Sequence, residues 1–130
     1  PQSEVEDLHL ILVQYRDRRK NIRRTLELSE VITGAAGPEL NRIYNWKARD
    51  DSFQYIKEPH RYMQELNLHT GFSESECNQD LKDKISVLKW MEKNQLEHIE
   101  DVGRVMKLFY AEPETIIGAA EKATPASKVL

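Results

Sequence analysis

Between Arg16 and Arg24 the chain reads RDRRKNIRR, six cations and one acid in nine residues. Guanidinium groups at this density suit bidentate recognition of phosphate or carboxylate, so the chemistry on offer is anion binding. Two readings stand side by side. Arg18, Arg19 and Lys20 fall in a polar turn and read as a solvated tip that blunts a sheet edge. The sharper reading takes Arg18, Arg19, Arg23 and Arg24 as an interface or anion contact for phosphate, nucleic acid or a neighbouring subunit's carboxylates. Arg24 shares its strand parity with Leu26 and Leu28, which places it partly under cover, with Glu27 and Glu30 as candidate partners.

No other constellation carries chemistry. His9, His60, His69 and His98 are scattered without metal-ligand spacing, so a structural or surface role is expected of each. Cys77 is the only cysteine, which excludes an intrachain disulfide and fits a reducing compartment. It has no His or Lys beside it, and nucleophilic chemistry there is the minor reading. None of the five glycines opens a GxxxxGK[ST] or GxGxxG phosphate cradle. Asp50-Asp51 reads as a turn and Glu74/Glu76 as a helix cap rather than as paired acid–base carboxylates. The chain is therefore expected to lack catalytic, cofactor-binding and metal residues of its own.

Two strand-like runs must position the basic cluster. LHLILVQY, from Leu8 to Tyr15, is nearly continuous in apolar residues and suits a strand buried on much of both faces. In IRRTLELSEVI, from Ile22 to Ile32, apolar and polar residues alternate, as in a strand with one packed face. Gly34 to Pro38 breaks the pattern. A second hairpin follows, Leu40 to Lys47 and Ser52 to Lys57, about a polar turn. Its spacing pairs Trp46 with Phe53 and Tyr44 with Tyr55, and a core role for these aromatics is favoured over base stacking.

From Glu58 the period becomes helical. A short helix is predicted over His60 to Leu68, with Tyr62, Met63 and Leu66 on one side, stopped by Thr70-Gly71. Ser73 and Glu76 form a capping box for a helix ending near Asn94, with Leu81, Ile85, Leu88 and Met91 inward. Further helices are predicted over Ile99 to Tyr110 and from Pro113 to about Lys122. The fold class is α+β: two N-terminal antiparallel β-hairpins, then a C-terminal bundle of three to four helices. The regions divide as 1–57 for the hairpins, 58–122 for the helices and 123–130 for a fraying tail.

At 130 residues the chain can bury one modest core. Its net charge of −3 gives no overall pull toward nucleic acid or anionic membrane. No apolar run is long enough to span a bilayer. A chain that begins PQSEVED, without Met, reads as a fragment or a processed product.

The order of the pieces resembles a known family. A basic turn leads into RR-x-L-E-L-S-E-V-I, then I-Y-N-W-K, a polar turn and S-F-Q-Y-I. G-F-S-E-S-E opens a helix containing V-L-K-W-M, and an I-x-D-V helix ends F-Y-x-x-P. Together, from about Val5 to Ile117, they resemble the C-terminal region of the archaeal branch of type II/type IV secretion ATPases. Arg23-Arg24 with the Glu27 and Glu30 spacing, and the run from Gly71 through Trp90 to Tyr110 and Pro113, carry most of the likeness. Lys84 departs from it, since the family more often has Arg there.

The resemblance implies a hexameric, cytoplasmic, membrane-peripheral motor of pili, archaella or secretion systems, whose parent protein uses ATP and Mg. The Walker motifs of that family lie upstream of the matching region, so this chain is expected to be its non-catalytic module, either an excised C-terminal portion or a stand-alone relative that kept the module and lost the motor. Its partners would be other motor subunits and a membrane platform protein, with self-association through the first hairpin a further expectation. The alternative is an independent nucleic-acid-binding domain using the basic hairpin.

Overall fold

A computed structural model describes Val5 and residues 7–130. Four strands come first: β1 (Leu10–Asp17), β2 (Ile22–Gly34), β3 (Gly37–Lys47) and β4 (Ser52–Tyr55). Four helices follow: α1 (Arg61–Thr70), α2 (Glu74–Lys93), α3 (Ile99–Ala111) and α4 (Pro113–Glu121). The α+β class and the order of hairpins before helices are as the sequence predicts. The strands form one antiparallel meander, β1-β2-β3-β4, because the break at residues 34–37 is itself a tight hairpin turn joining the two predicted hairpins. Gly37 sits there at φ 125°, a backbone conformation that disfavours a side chain.

Turn chemistry sets the register. At the β1–β2 turn the Asp17 carboxylate accepts from the amides of Arg19 and Lys20, and Asn21 takes the left-handed conformation that suits it. Trp46 pairs with Phe53 and Tyr44 with Tyr55, as their spacing about the turn requires. Two bulges interrupt the ladders. Leu26 has no partner on β1, and Ile43 has none on β2.

The chain forms two compact units, the first ending at Phe72 and the second running from Ser73 to Leu130. In the first, α1 belongs with the sheet rather than with the helices that follow it in sequence. Glu30 on β2 is fully buried and caps α1 from a distance, accepting from the amides of His60 and Tyr62 and from Asn41 Nδ2. Arg61 donates to the carbonyls of Val31 and Leu8 from the same helix end. Apolar burial in this unit is thin: among the described residues only Val31 and Ile43 are buried aliphatics. Ser29, Glu30 and Asn41 share the interior with them.

Burial of the sheet's apolar residues falls short of the expectation. Leu12, Val13 and Tyr15 on β1 are exposed, where the continuous apolar run predicts burial on both faces. Tyr44, Phe53 and Tyr55 are exposed too, which corrects their assignment to a core. The second unit has a core of its own.

That core is built from Val87, Trp90, Met91, Val105, Ile116 and Ala119. The capping box of Ser73 and Glu76 opens α2 as predicted. Its inward face, however, carries Cys77, Val87, Trp90 and Met91, while Leu81, Ile85 and Leu88 face solvent. Only Met91 of the four predicted inward residues is buried. The last residues are held rather than frayed. Trp90 Nε1 donates to the carbonyl of Thr124, Asn94 Oδ1 accepts from the amide of Ala126, and Val129 packs on the core.

Candidate functional site

β3 pairs with β2 only from Glu27 onward, whereas β1 pairs with β2 out to Asp17 and Ile22. The end of the first hairpin is therefore a two-stranded arm reaching past the ladder that holds the rest of the sheet. The bulge at Leu26 marks its root. All the residues singled out from sequence lie on this arm: Arg18 and Arg19 at its tip, Arg23 and Arg24 on its second strand.

The structure separates Arg24 from the others. Arg24 Nε and Nη2 each donate to one oxygen of Asp51 at 2.6 Å, a bidentate pair with the β3–β4 turn. Trp46 Nε1 donates to the same carboxylate at 2.8 Å. Three donors hold the Asp51 carboxyl down to about 2, the Arg24 hydrogen bonds contributing most and Trp46 next. The same pairing raises Arg24 above its ordinary value. This corrects the expected partners, Glu27 and Glu30. Glu27 instead accepts from Ser29 and pairs with Arg42 at 2.8 Å, both of which lower its pKa. Glu30 is committed to the α1 cap.

Tyr15 on the arm packs on Trp46, their ring centroids 5.9 Å apart. With the Arg24–Asp51 pair this makes a brace fixing the arm to the second hairpin. Between them lies a shallow groove of about 260 Å³, lined by Tyr15, Lys20, Ile22, Trp46 and Ala48 with the brace itself.

The other cations stand differently. Arg16 lies directly opposite Arg23 across the strands, and like charges so placed repel. Arg18, Arg19 and Lys20 are exposed on the turn. The nearby Asp17 is engaged by backbone amides. Arg16, Arg18, Arg19, Lys20 and Arg23 make no ion pair among the described residues. The arrangement can therefore present five positive charges to an anionic surface from a fixed position.

Among the described residues no group of His, Cys, Asp and Glu is arranged to hold a metal ion. Glu65 lies within ion-pair reach of His69 at 3.2 Å and of His9 at 3.9 Å. No described helix is long and apolar enough to cross a membrane. Sequence reasoning missed the brace and the Glu30 cap, both of which join residues 27 or more positions apart. Only the isolated basic residues of the arm carried a local signal. No family model matches the chain, and no curated protein matches it at a significant level.

Proposed function

We propose that the chain is the non-catalytic C-terminal module of a secretion or type IV pilus-type ATPase. In this role it mediates subunit or membrane-platform contacts and transmits ATP-driven movement. The order of sequence motifs suggests the family; the observation that carries the reading is how much apolar surface the fold leaves open. β1 is an edge strand, and its Leu12, Val13 and Tyr15 are exposed along with Tyr44, Phe53 and Tyr55 elsewhere in the sheet. On the helical unit, Leu81, Ile85 and Leu88 make one open stripe, and Ile99, Met106 and Tyr110 another. Exposed apolar stripes of this kind suit protein–protein contacts, and a module within a larger motor has neighbours to cover them. The setting is cytoplasmic and peripheral to a membrane, and ATP and Mg belong to the parent motor.

Two measurements test the reading. The reading frame upstream of Pro1 should encode a P-loop, and the pure 130-residue chain should show no ATP turnover. Turnover by the pure chain refutes the non-catalytic role, and a frame without a P-loop refutes the motor parent.

The alternative, an independent nucleic-acid-binding domain, draws on the same arm, whose unpaired cations and exposed Tyr15 would suit a phosphate backbone and a base. The overall charge of −3 opposes it.

A further inference from the structure

Ile99, Gly103, Met106 and Tyr110 recur at positions i, i+4, i+7 and i+11 of α3, which sets them in one row along the helix. All four are exposed, Ile99 at 77% and Tyr110 at 74%. The inward side of the same helix carries the buried Val105, with Val102, Leu108 and Phe109 packed on the core of the helical unit. That core is satisfied by one side of α3 and leaves the row unused.

The row has relief. Ile99, Met106 and Tyr110 stand up from it, and Gly103 leaves a recess between Ile99 and Met106. A Cβ placed on Gly103 meets nothing within 4 Å, and its backbone is helical, so nothing inside the chain requires glycine there. A mid-helix glycine costs stability relative to alanine, and its usual return is close approach by another group. One flank of the row is charged. Glu100 and Lys107 lie on it seven residues apart, and neither has an ion pair among the described residues. Arg104, between them, pairs with Asp101 of its own helix at 3.8 Å.

We infer that α3 docks on α3 of a second copy of this chain, the two helices running antiparallel about a two-fold axis. An axis level with the midpoint of Arg104 and Val105 seats Met106 of each copy over Gly103 of the other and sets Ile99 against Tyr110. Lys107 of the other copy then stands level with position 102, about 3 Å along the helix from Glu100 and on the same flank. Two ion pairs close, so the row is complementary to itself in both shape and charge. The mixed signs of the flank suit neither an anionic bilayer nor a nucleic acid. The contact is isologous and lies within the helical unit: it stops at two copies, builds no ring and does not depend on the motor reading.

The test is sedimentation equilibrium of the full chain from about 10 μM to about 1 mM. A pair of helices about 20 Å long makes a contact at the small end of specific interfaces, so the expected result is a monomer–dimer equilibrium with a dissociation constant near about 100 μM. Gly103→Leu fills the recess without meeting any group of its own chain, and leucine favours the helix. It should unfold no earlier than the natural chain and dimerise at least about tenfold more weakly. E100K and K107E each bring like charges together twice, and each alone should dimerise at least about fivefold more weakly. Mixed in equal amounts they should regain the natural affinity as a heterodimer, because both contacts between positions 100 and 107 then join opposite charges.

A natural chain that is still monomeric at about 1 mM overturns the inference. So does a Gly103→Leu chain that dimerises as tightly as the natural one, which would assign association to the stripe on α2 or to the edge strand β1. A mixture of E100K and K107E that associates no better than either variant alone overturns the two-fold arrangement.

Discussion

Replacing Glu30 should release α1 from the sheet. Its carboxylate is fully buried and accepts three hydrogen bonds: Asn41 Nδ2 at 2.7 Å, the His60 amide at 2.8 Å and the Tyr62 amide at 3.0 Å. Burial alone would push this carboxyl up, but the bonds from Tyr62, Asn41 and His60, with the charge of His60, outweigh it and hold the pKa below the usual value. The group therefore stabilises the fold above its unfolded pKa of about 4.3, and that contribution fades as pH falls through the lowered folded value. In Glu30→Ala, Asn41 keeps the Glu58 carbonyl as an acceptor, but the two helix amides are left with no partner. At about 1–3 kcal/mol for each of these two half-covered donors left unpaired, the cost is about 2–6 kcal/mol. Glu30→Gln keeps one oxygen and turns an amide donor on the Tyr62 N–H, for about 1–3 kcal/mol. Amide hydrogen exchange reads both, with α3 and α4 as internal reference. Exchange along α1 should speed up at least about thirtyfold in the Ala variant and by about five- to hundredfold in the Gln variant. Unchanged protection of the His60 and Tyr62 amides in both variants would refute the cap.

Three further outcomes follow from the geometry. Asp51→Asn removes the carboxylate held by Arg24 and Trp46, and should speed amide exchange in residues 15–24 by up to about fivefold while leaving α1 unaffected. In the natural chain the same loosening should begin only as pH falls toward about 2, because that carboxylate stays charged until then. Arg16→Glu turns a like-charge cross-strand pair into an opposite one, and should slow exchange in β1 and β2 by an amount equivalent to up to about 1 kcal/mol. Trp90→Phe removes the indole donor to the Thr124 carbonyl, and should cost the helical unit about 1–3 kcal/mol in urea denaturation and expose the amides of residues 124–130.

The elements that sequence located well are those whose determinants are local. The pairing of Trp46 with Phe53 follows from counting outward from one turn, and the capping box from residues three apart. The features it missed join distant residues. Glu30 sits in an alternating strand where its parity says only that it shares a face with Leu28, and nothing nearby shows that the helix 30 residues later lacks a cap of its own. Asp51 reads as an ordinary turn former, and its capture of Arg24 depends on two hairpins being brought side by side.

The error over α2 is of another kind, and it bears on the function. Both Leu81/Ile85/Leu88 and Val87/Trp90/Met91 follow helical spacing, so the helix carries two adjoining apolar stripes. Periodicity reports that a stripe exists but not which one finds a partner within the chain. Trp90 decides it, because its indole needs an acceptor and the Thr124 carbonyl supplies one, turning that stripe onto α4 and the C-terminal residues. The remaining stripe is left open, as are the apolar side chains of β1. A charge reversal at the arm and a polar substitution at Leu88 therefore probe different contacts. If the proposed motor role holds, Leu88→Glu should weaken attachment to the partner that covers this stripe while leaving the helical unit folded. Unchanged attachment in Leu88→Glu, with the fold intact, would refute a contact through the open stripe.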